Sequence, residues 1–470
     1  MASRKEELRA KESSRGRRNV LVTAAVAALG GLLFGYDTGI VASAILFIRH
    51  DFDLGDFGQG AVVSAVTLGA IIGAPIAGTL ADRFGRRRMI LIASVIFIAG
   101  SVGCAAAPNA EVLVVARVVL GIAVGLASAT CPVYIAEVAP VAVRGQLVTL
   151  FQLAVTVGIL VAYLVGLAFE SSGGWREMLG LGALPALALG AGMLYMPRSP
   201  RWLVMIGERS EARTVLRATR EDETEVDDEL AEIEATLQQD QGTYRDLLTP
   251  AMRAALTVGV GLAILQQITG INTVIYYAPT IVEFAGISSS SSAILASIGV
   301  GVVNVAVTVL AIRLLKNHGR RQLLLVGVAG MVLSLVSLGI AFALGTDSGA
   351  TAPIAIVSLM VYVASFAMSL GPIFWLLNAE IYPLRVRAKA AGVGTMSNWT
   401  FNFIVALTFL PLLAAVGNSA AFFIYAGIGV FTWFFCMLLV PETKDMPLEE
   451  IEQEWDRRAG VEPAAAEPRG

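Results

Sequence analysis

The chain has 470 residues, of which 56% are hydrophobic and 15% charged, with a mean hydropathy of +0.72. Those values exclude an ordinary soluble domain and point to a polytopic membrane protein. The small formal net charge of −3 conceals strong patterning along the chain.

Residues 1–19 are basic and read as a cytoplasmic tail. A full apolar span follows, not the short core of a cleavable leader, so no signal peptide is expected. Twelve apolar runs then lie at about 20–47, 57–80, 88–107, 111–136, 147–169, 177–197, 252–285, 291–315, 322–344, 352–379, 389–415 and 419–440. A bilayer crossing takes roughly 20 residues, and the first and seventh runs exceed it, so part of each lies outside the hydrocarbon or tilts. The fold class expected is all-α and membrane-integral, with twelve helices in two pseudo-symmetric halves, 20–197 and 252–440. Twelve crossings put both ends on one side. Of the 34 Lys and Arg, only Arg49, Arg117 and Arg176 fall elsewhere. Positive charge marks that side as cytoplasmic and the location as the cell membrane.

Residues 198–251 form the long polar segment between the halves. Glu208–Arg217 and Glu221–Gln241 carry Leu, Val and Ile at helical spacing, which predicts short amphipathic cytoplasmic helices. A solvated linker is an equal reading around Glu221–Glu229. Residues 441–470 read as a polar cytoplasmic tail whose Ala/Glu/Pro end is expected to be disordered. Cys104, Cys131 and Cys436 fall in or near apolar runs and read as small buried hydrophobes. His50 and His318 are too few and too far apart for a zinc site. With no phosphate loop, metal cluster or enzymatic constellation, the chain is expected to be no enzyme, to carry no cofactor or metal, and to bind no nucleic acid. Asn398-Trp399-Thr400 fits a glycosylation acceptor but lies in a span and is set aside.

The halves echo each other. Asp82-Arg83-Phe84-Gly85-Arg86-Arg87 follows the second run, and Lys316-Asn317-His318-Gly319-Arg320-Arg321 follows the eighth. Glu137 precedes Arg144 by seven residues after the fourth run, and Glu380 precedes Arg387 by seven after the tenth. This argues for duplication of a six-span unit. Transporters built that way carry a substrate site near the midplane, between the halves.

Inside the seventh run sits Gln266-Gln267-Ile268-Thr269-Gly270-Ile271-Asn272, followed by Tyr276-Tyr277. Amides in hydrocarbon have no water, so they face a protein interior or a wet cavity. On one continuous helix Asn272 returns to nearly the side of Gln266 and Gln267. Such a face, with two tyrosine hydroxyls, suits an uncharged, hydroxyl-rich molecule; it equally suits hydrogen bonding between helices. Asp37 and Arg117 are the ionisable residues placed well inside spans. Asp37 lies 17 residues past Val20 and Arg117 lies 19 before Ala136. At ~1.5 Å per residue both sit roughly 25–29 Å from the cytoplasmic end, so a mutual pair is expected. It is either a static structural pair or a protonation switch, in which a proton on Asp37 releases Arg117.

Several ordered motifs resemble the sugar porter family of the major facilitator superfamily, which includes bacterial proton-coupled monosaccharide symporters and glucose facilitators. They are Phe34-Gly35-Tyr36-Asp37, Asp82–Arg87, Pro132-Val133-Tyr134-Ile135-Ala136-Glu137 with Arg144-Gly145, Pro197-Arg198-Ser199-Pro200-Arg201-Trp202 and Gln266–Asn272. Gly371-Pro372-Ile373-Phe374-Trp375 with Glu380, Asn398-Trp399-Thr400-Phe401-Asn402 and Pro441-Glu442-Thr443-Lys444 complete them. The resemblance implies sugar contacts from Gln152, Gln266, Gln267, Asn272, Asn304, Trp375, Asn398 and Asn402. Amides read hydroxyls that both donate and accept, and an indole ring can carry the apolar face of a pyranose. Ile159 stands where some members have a second glutamine of the fifth span. Proton-coupled members have Asp at position 37, where facilitative relatives often have a neutral residue. Asp82, Arg83, Arg86, Glu137, Arg144, Glu380 and Arg387 match a cytoplasmic salt-bridge network that holds that side closed; the plainer reading is solvated loop charge. Lys316 and Arg198 replace residues that are usually acidic. That removes two candidate carboxylate partners and is expected to favour the inward-open state.

The expectation is therefore a monosaccharide transporter, hexose or pentose with glucose foremost, working as a monomer in the lipid bilayer by alternating access. The proton is the coupling ion, through Asp37 and Arg117. The alternatives are a facilitative sugar or polyol uniporter and a non-transporting sugar sensor.

Overall fold

The computed structural model describes residues 2–220, 222–238, 242–345, 349–383, 385–444, 446 and 448–458. The expected disorder of the Ala/Glu/Pro end, and the outer ends of the predicted 221–241 helix, lie outside the described residues. The helices of the first half are α1 (Ala2–Asp51), α2 (Asp56–Phe84), α3 (Arg86–Ala105), α4 (Ala110–Val138), α5 (Val141–Ala168), α6 (Trp175–Gly180) and α7 (Ala183–Tyr195). Between the halves run α8 (Pro200–Met205), α9 (Arg209–Arg217) and α10 (Glu223–Gln238). Then follow α11 (Pro250–Ile268), α12 (Ile271–Tyr276), α13 (Ala278–Phe284), α14 (Ser290–Asn317), α15 (Arg320–Ala343), α16 (Thr351–Ala367), α17 (Leu370–Glu380), α18 (Arg387–Val416), α19 (Asn418–Leu439) and α20 (Leu448–Arg458). Joined across short breaks, they give 12 helices long and apolar enough to cross a membrane. The chain is a multi-pass membrane protein of the all-α class. Two compact units divide it: Met1–Gln239 with Ser289–Gly301, and Asp240–Ser288 with Val302–Gly470.

In the first unit, small residues let helices approach until backbones touch. A Cβ at Gly35 of α1 would run into the Val155 carbonyl of α5, and one at Gly158 of α5 into the Leu32 carbonyl of α1. Gly69 of α2 meets the Val118 carbonyl of α4, and Gly121 of α4 meets the Val66 carbonyl of α2. In lipid there is no hydrophobic drive between helices, so such close packing supplies much of the cohesion.

The seventh span is not one continuous helix. It breaks between α11 and α12 at Thr269 and Gly270, where Gly270 takes φ 95°, a left-handed conformation that costs glycine nothing. The Tyr362 hydroxyl donates to the Thr269 carbonyl at 2.8 Å and so satisfies an oxygen that the break frees. A second break, at Ser369, separates α16 from α17.

The segment between the halves folds as the amphipathic spacing predicts. Trp202, Leu203, Ala212, Leu216, Val226 and Leu230 form a small core of α8, α9 and α10. Arg220 ties it to the end of α4: its guanidinium donates to the Val138 carbonyl at 3.0 Å and to Glu229 Oε1 at 2.7 Å. The Arg217 and Arg213 guanidinium groups hold the exposed Glu223 carboxyl below its usual range. The Thr243 amide does the same for Asp246. The tail beyond the last span carries α20, which the polar composition of 441–470 did not reveal. Trp455 is buried and donates to the Ile381 carbonyl at 2.9 Å.

Gly121→Leu should leave no folded monodisperse protein on size exclusion, since overpacking costs ~1–3 kcal/mol even where side chains can give, and here the obstacle is backbone. Gly427→Ala, where a Cβ meets nothing within 4 Å, should elute as the parent does.

Candidate functional site

The second unit holds a connected set of amides. Gln267 Nε2 donates to Asn398 Oδ1 at 3.0 Å and to Gln266 Oε1 at 3.2 Å. Asn398 Nδ2 donates to Gln266 Oε1 at 2.6 Å and to the Ala263 carbonyl at 3.1 Å. Asn272, just past the break, donates from Nδ2 to Gln267 Oε1 at 2.5 Å. Gln266 Nε2 reaches the Leu370 carbonyl at 2.8 Å, at the start of α17. The break at Gly270 thus brings Asn272 to the glutamines by turning the chain, where the sequence reading invoked the face of one helix. Asn402 lies one turn beyond Asn398 on α18, buried, and its Oδ1 has no hydrogen-bond partner. Trp375 is 40% exposed, with its ring 4.8 Å from that of Phe374. Asn304 is buried on α14. Gln152 belongs to the first unit, half-buried on α5.

The Tyr277 hydroxyl is spent on structure, donating to the Ala406 carbonyl at 3.0 Å. Tyr276 is buried. The result is an amide set ordered by its own bonds, with the Asn402 carbonyl unpaired and the Trp375 ring part-exposed. Uncharged donors and acceptors held in fixed directions suit a polyol.

The first unit holds the charge pair. Arg117 is 1% exposed and Asp37 4%. Arg117 Nη1 lies 3.4 Å from Asp37 Oδ1, and Arg117 Nε donates to the Val62 carbonyl of α2 at 2.7 Å. One guanidinium thus links α1, α2 and α4.

The charged ends of the spans form two clusters, one in each unit. In the first, Asp82 Oδ1 sits 2.9 Å from Arg86 Nη1, and Arg86 Nε 3.0 Å from Glu137 Oε2. The Ser199 hydroxyl donates to Glu137 at 2.5 Å, and Trp202 Nε1 donates to the Asp82 carbonyl at 2.9 Å. Arg144 lies 3.8 Å from Glu229, so Glu137 is bound to Arg86 and not to Arg144, its partner in the seven-residue spacing. Arg83 lies over the Phe84 ring, 5.3 Å from its centroid. Arg198 pairs with Glu211 at 3.2 Å. In the second, Glu380 is 3.4 Å from Arg320 and accepts the Thr443 hydroxyl at 2.9 Å, while Arg387 Nε donates to the Tyr382 carbonyl at 3.0 Å. Sequence reasoning missed Glu442. It accepts the backbone N–H groups of Arg320 at 2.8 Å and Arg321 at 3.2 Å, at the start of α15. An acid in the Pro441–Lys444 motif was the available signal.

Twelve apolar helices, a bonded amide cluster and a buried ion pair are the build of a membrane transporter. The family described as sugar (and other) transporters matches residues 23–455. A D-xylose transporter of Levilactobacillus brevis is 42% identical over 441 residues, covering 93% of this chain and 96% of the relative. A galactose-proton symporter of Escherichia coli K12 is 40% identical over 442 residues, covering 93% and 95%. Among solved structures, the xylose transporter XylE from E. coli in a partially occluded inward open conformation has a TM-score of 0.81 and 33% identity, covering 92% of this chain and 100% of that one. The chain belongs to the sugar porter family of the major facilitator superfamily.

Asn398→Ala should weaken binding of a monosaccharide about tenfold, since it leaves the buried Gln266 and Gln267 groups short of partners at ~1–3 kcal/mol each. Isothermal titration in detergent reads this. Lower thermal stability with unchanged affinity would mark the amides as interhelical bonding alone.

Proposed function

We propose that this protein carries a monosaccharide across the cell membrane together with a proton, by alternating access, as a monomer with both termini cytoplasmic. The observation that carries the reading is the pairing of two chemistries in one chain: the bonded amides of α11, α12 and α18, and the Asp37–Arg117 pair of α1 and α4. The names of the relatives agree with it, one being a proton symporter and both acting on pyranose sugars. The amides with Trp375 hold the sugar, and Gln152 and Asn304 add contacts. No resident cofactor or metal takes part; the proton is the coupling ion.

Asp37 takes the proton. An ionised Asp37 holds Arg117, and through it α1 stays tied to α4. A protonated Asp37 has no charge to offer, and Arg117 keeps the Val62 carbonyl alone. Neutralising one partner therefore loosens α1 from α4 while leaving α2 on α4. Such a selective change is what a coupling ion must make to shift a conformational equilibrium. The Asp82–Arg86–Glu137 and Arg320–Glu380 clusters, with Arg83, Arg144 and Arg387, close the cytoplasmic side.

Uptake into proteoliposomes tests this. An inward gradient of one pH unit supports up to about tenfold accumulation at one proton per sugar, since tenfold corresponds to ~1.4 kcal/mol. Glucose is the first sugar to try and xylose the second, because they differ by one hydroxymethyl group. Accumulation should collapse with a protonophore, and Asp37→Asn should abolish it while sparing sugar exchange. Equilibration indifferent to the gradient would make the protein a uniporter. Binding with no flux would make it a sensor.

A further inference from the structure

One to two turns from the amide cluster lies a second polar layer. Tyr382 and Asn378 are 0% and 4% exposed, and neither the Tyr382 hydroxyl nor Asn378 Oδ1 has a hydrogen-bond partner. A buried polar atom left unpaired costs ~1–3 kcal/mol, so two near one end of α17 call for an explanation. Asn378 lies in the last turn of α17, and Tyr382 two residues past its end.

What surrounds them repeats the upper layer with side chains removed. The Tyr382 hydroxyl fills the place where a Cβ on Gly259 of α11 would stand. Asn378 Oδ1 lies 2.5 Å from where a Cβ on Gly394 of α18 would be. Gly259 is seven residues from Gln266 on α11, Gly394 is four from Asn398 on α18, and Asn378 is three from Trp375 on α17. Those spacings return each helix to nearly the same face. At ~1.5 Å per residue they place the second layer about 4–10 Å from the first. On all three helices the displacement runs toward the end that bears Arg387 and Glu380.

We infer that Asn378 and Tyr382 form a second, release-side subsite for the same uncharged polyhydroxyl sugar, entered after it leaves the amide cluster. The subsite rests on the transport reading above. It offers one acceptor, one hydroxyl that donates or accepts, and no charge. Two glycines face it, so withdrawal of α17 from α11 and α18 opens a cleft lined by backbone with nothing further to displace. The break at Ser369 lets α17 move apart from α16. Until it moves, the subsite is closed and its two polar atoms wait unpaired. They are also the groups that gain most when a hydroxyl arrives.

Tyr382→Phe removes the hydroxyl alone, and Asn378→Leu keeps the volume while losing the amide, its Nδ2 bond to the Ala391 carbonyl included. Each is measured in right-side-out and everted vesicles with labelled glucose and xylose, beside equilibrium binding to the purified chain. The expected result is an unchanged binding affinity and an unchanged KM from the outer face. From the face bearing Arg387, KM should rise about fivefold, the size of one lost hydrogen bond, with Vmax rising in step. Equal KM values from both faces, matching the parent, would mean that the groups hold only a water, and would overturn the subsite. A fall in equilibrium affinity matched from both faces would place them in the main site and also overturn it. A parent chain that moves neither sugar would overturn the transport reading itself, a failure separable from the first two.

Discussion

Arg117 sets the terms for the first unit. Its guanidinium carries a delocalised charge, lies two turns into the apolar helix α4 and has almost no exposure. Such a group cannot stay unpaired in hydrocarbon, so everything that can approach it is constrained. The Val62 carbonyl meets one nitrogen and Asp37 another. To bring three helices that close, the chain dispenses with side chains along their contacts: Gly30 of α1 lies against Cys131 of α4, and Gly69 and Gly121 stand where α2 meets α4. The ion pair and the glycine seams are one design. The seams fix the distance at which Asp37 can serve Arg117, and the pair adds its own cohesion between α1 and α4. Close-packed seams also make any loosening of these helices discrete. Backbones in contact separate as rigid rods and do not deform by degrees.

The second unit solves the same problem with neutral groups. Its polar residues satisfy one another and a carbonyl freed where the seventh span breaks at Gly270. A broken helix is tolerated in a membrane only where its loose ends are paired or wet. Here Tyr362 pairs one oxygen and Gln266 reaches two carbonyls at the start of α17. The amides bond between helices, and that bonding fixes the direction of each donor and acceptor. Order imposed before binding is what makes a polar pocket selective at small entropic cost.

Much of this was legible in the sequence. Twelve apolar runs gave the class because hydrocarbon admits few alternatives, and isolated charges such as Asp37 and Arg117 announce a pair by their depth. The amides at 266, 267, 272, 398 and 402 stood out because amides are rare in apolar runs. What stayed hidden follows from three-dimensional pairing. Gly270 reads as a tolerated helix glycine until its φ is seen. The choice of Arg86 over Arg144 as the partner of Glu137 depends on where α10 brings Glu229. Asn378 is an amide in an apolar run too, but no motif gave it a role, and it and Tyr382 are singled out by their missing partners.

The two halves repeat a pattern of residues and only part of its physics: Glu380 meets Arg320 as Glu137 meets Arg86, while the position of Asp82 is answered differently. At the start of α3 the chain supplies its own acid, with Asp82 and Glu137 gripping Arg86. At the start of α15 the corresponding position is Lys316, which by itself would leave the helix N-terminus and Arg320 without an acid close in sequence. Glu442 answers from the far side of the last span. Its carboxylate accepts the first backbone N–H groups of α15, where the helix dipole also favours negative charge. Lys444 then reaches back to the Asn317 carbonyl at 3.0 Å, and Thr443 to Glu380. The departure at Lys316 is therefore met by a segment outside the repeat. The requirement that survives duplication is that each helix start and each buried arginine finds an acid. Which residue provides it is free to drift, so the symmetry visible in sequence overstates the symmetry of the two clusters.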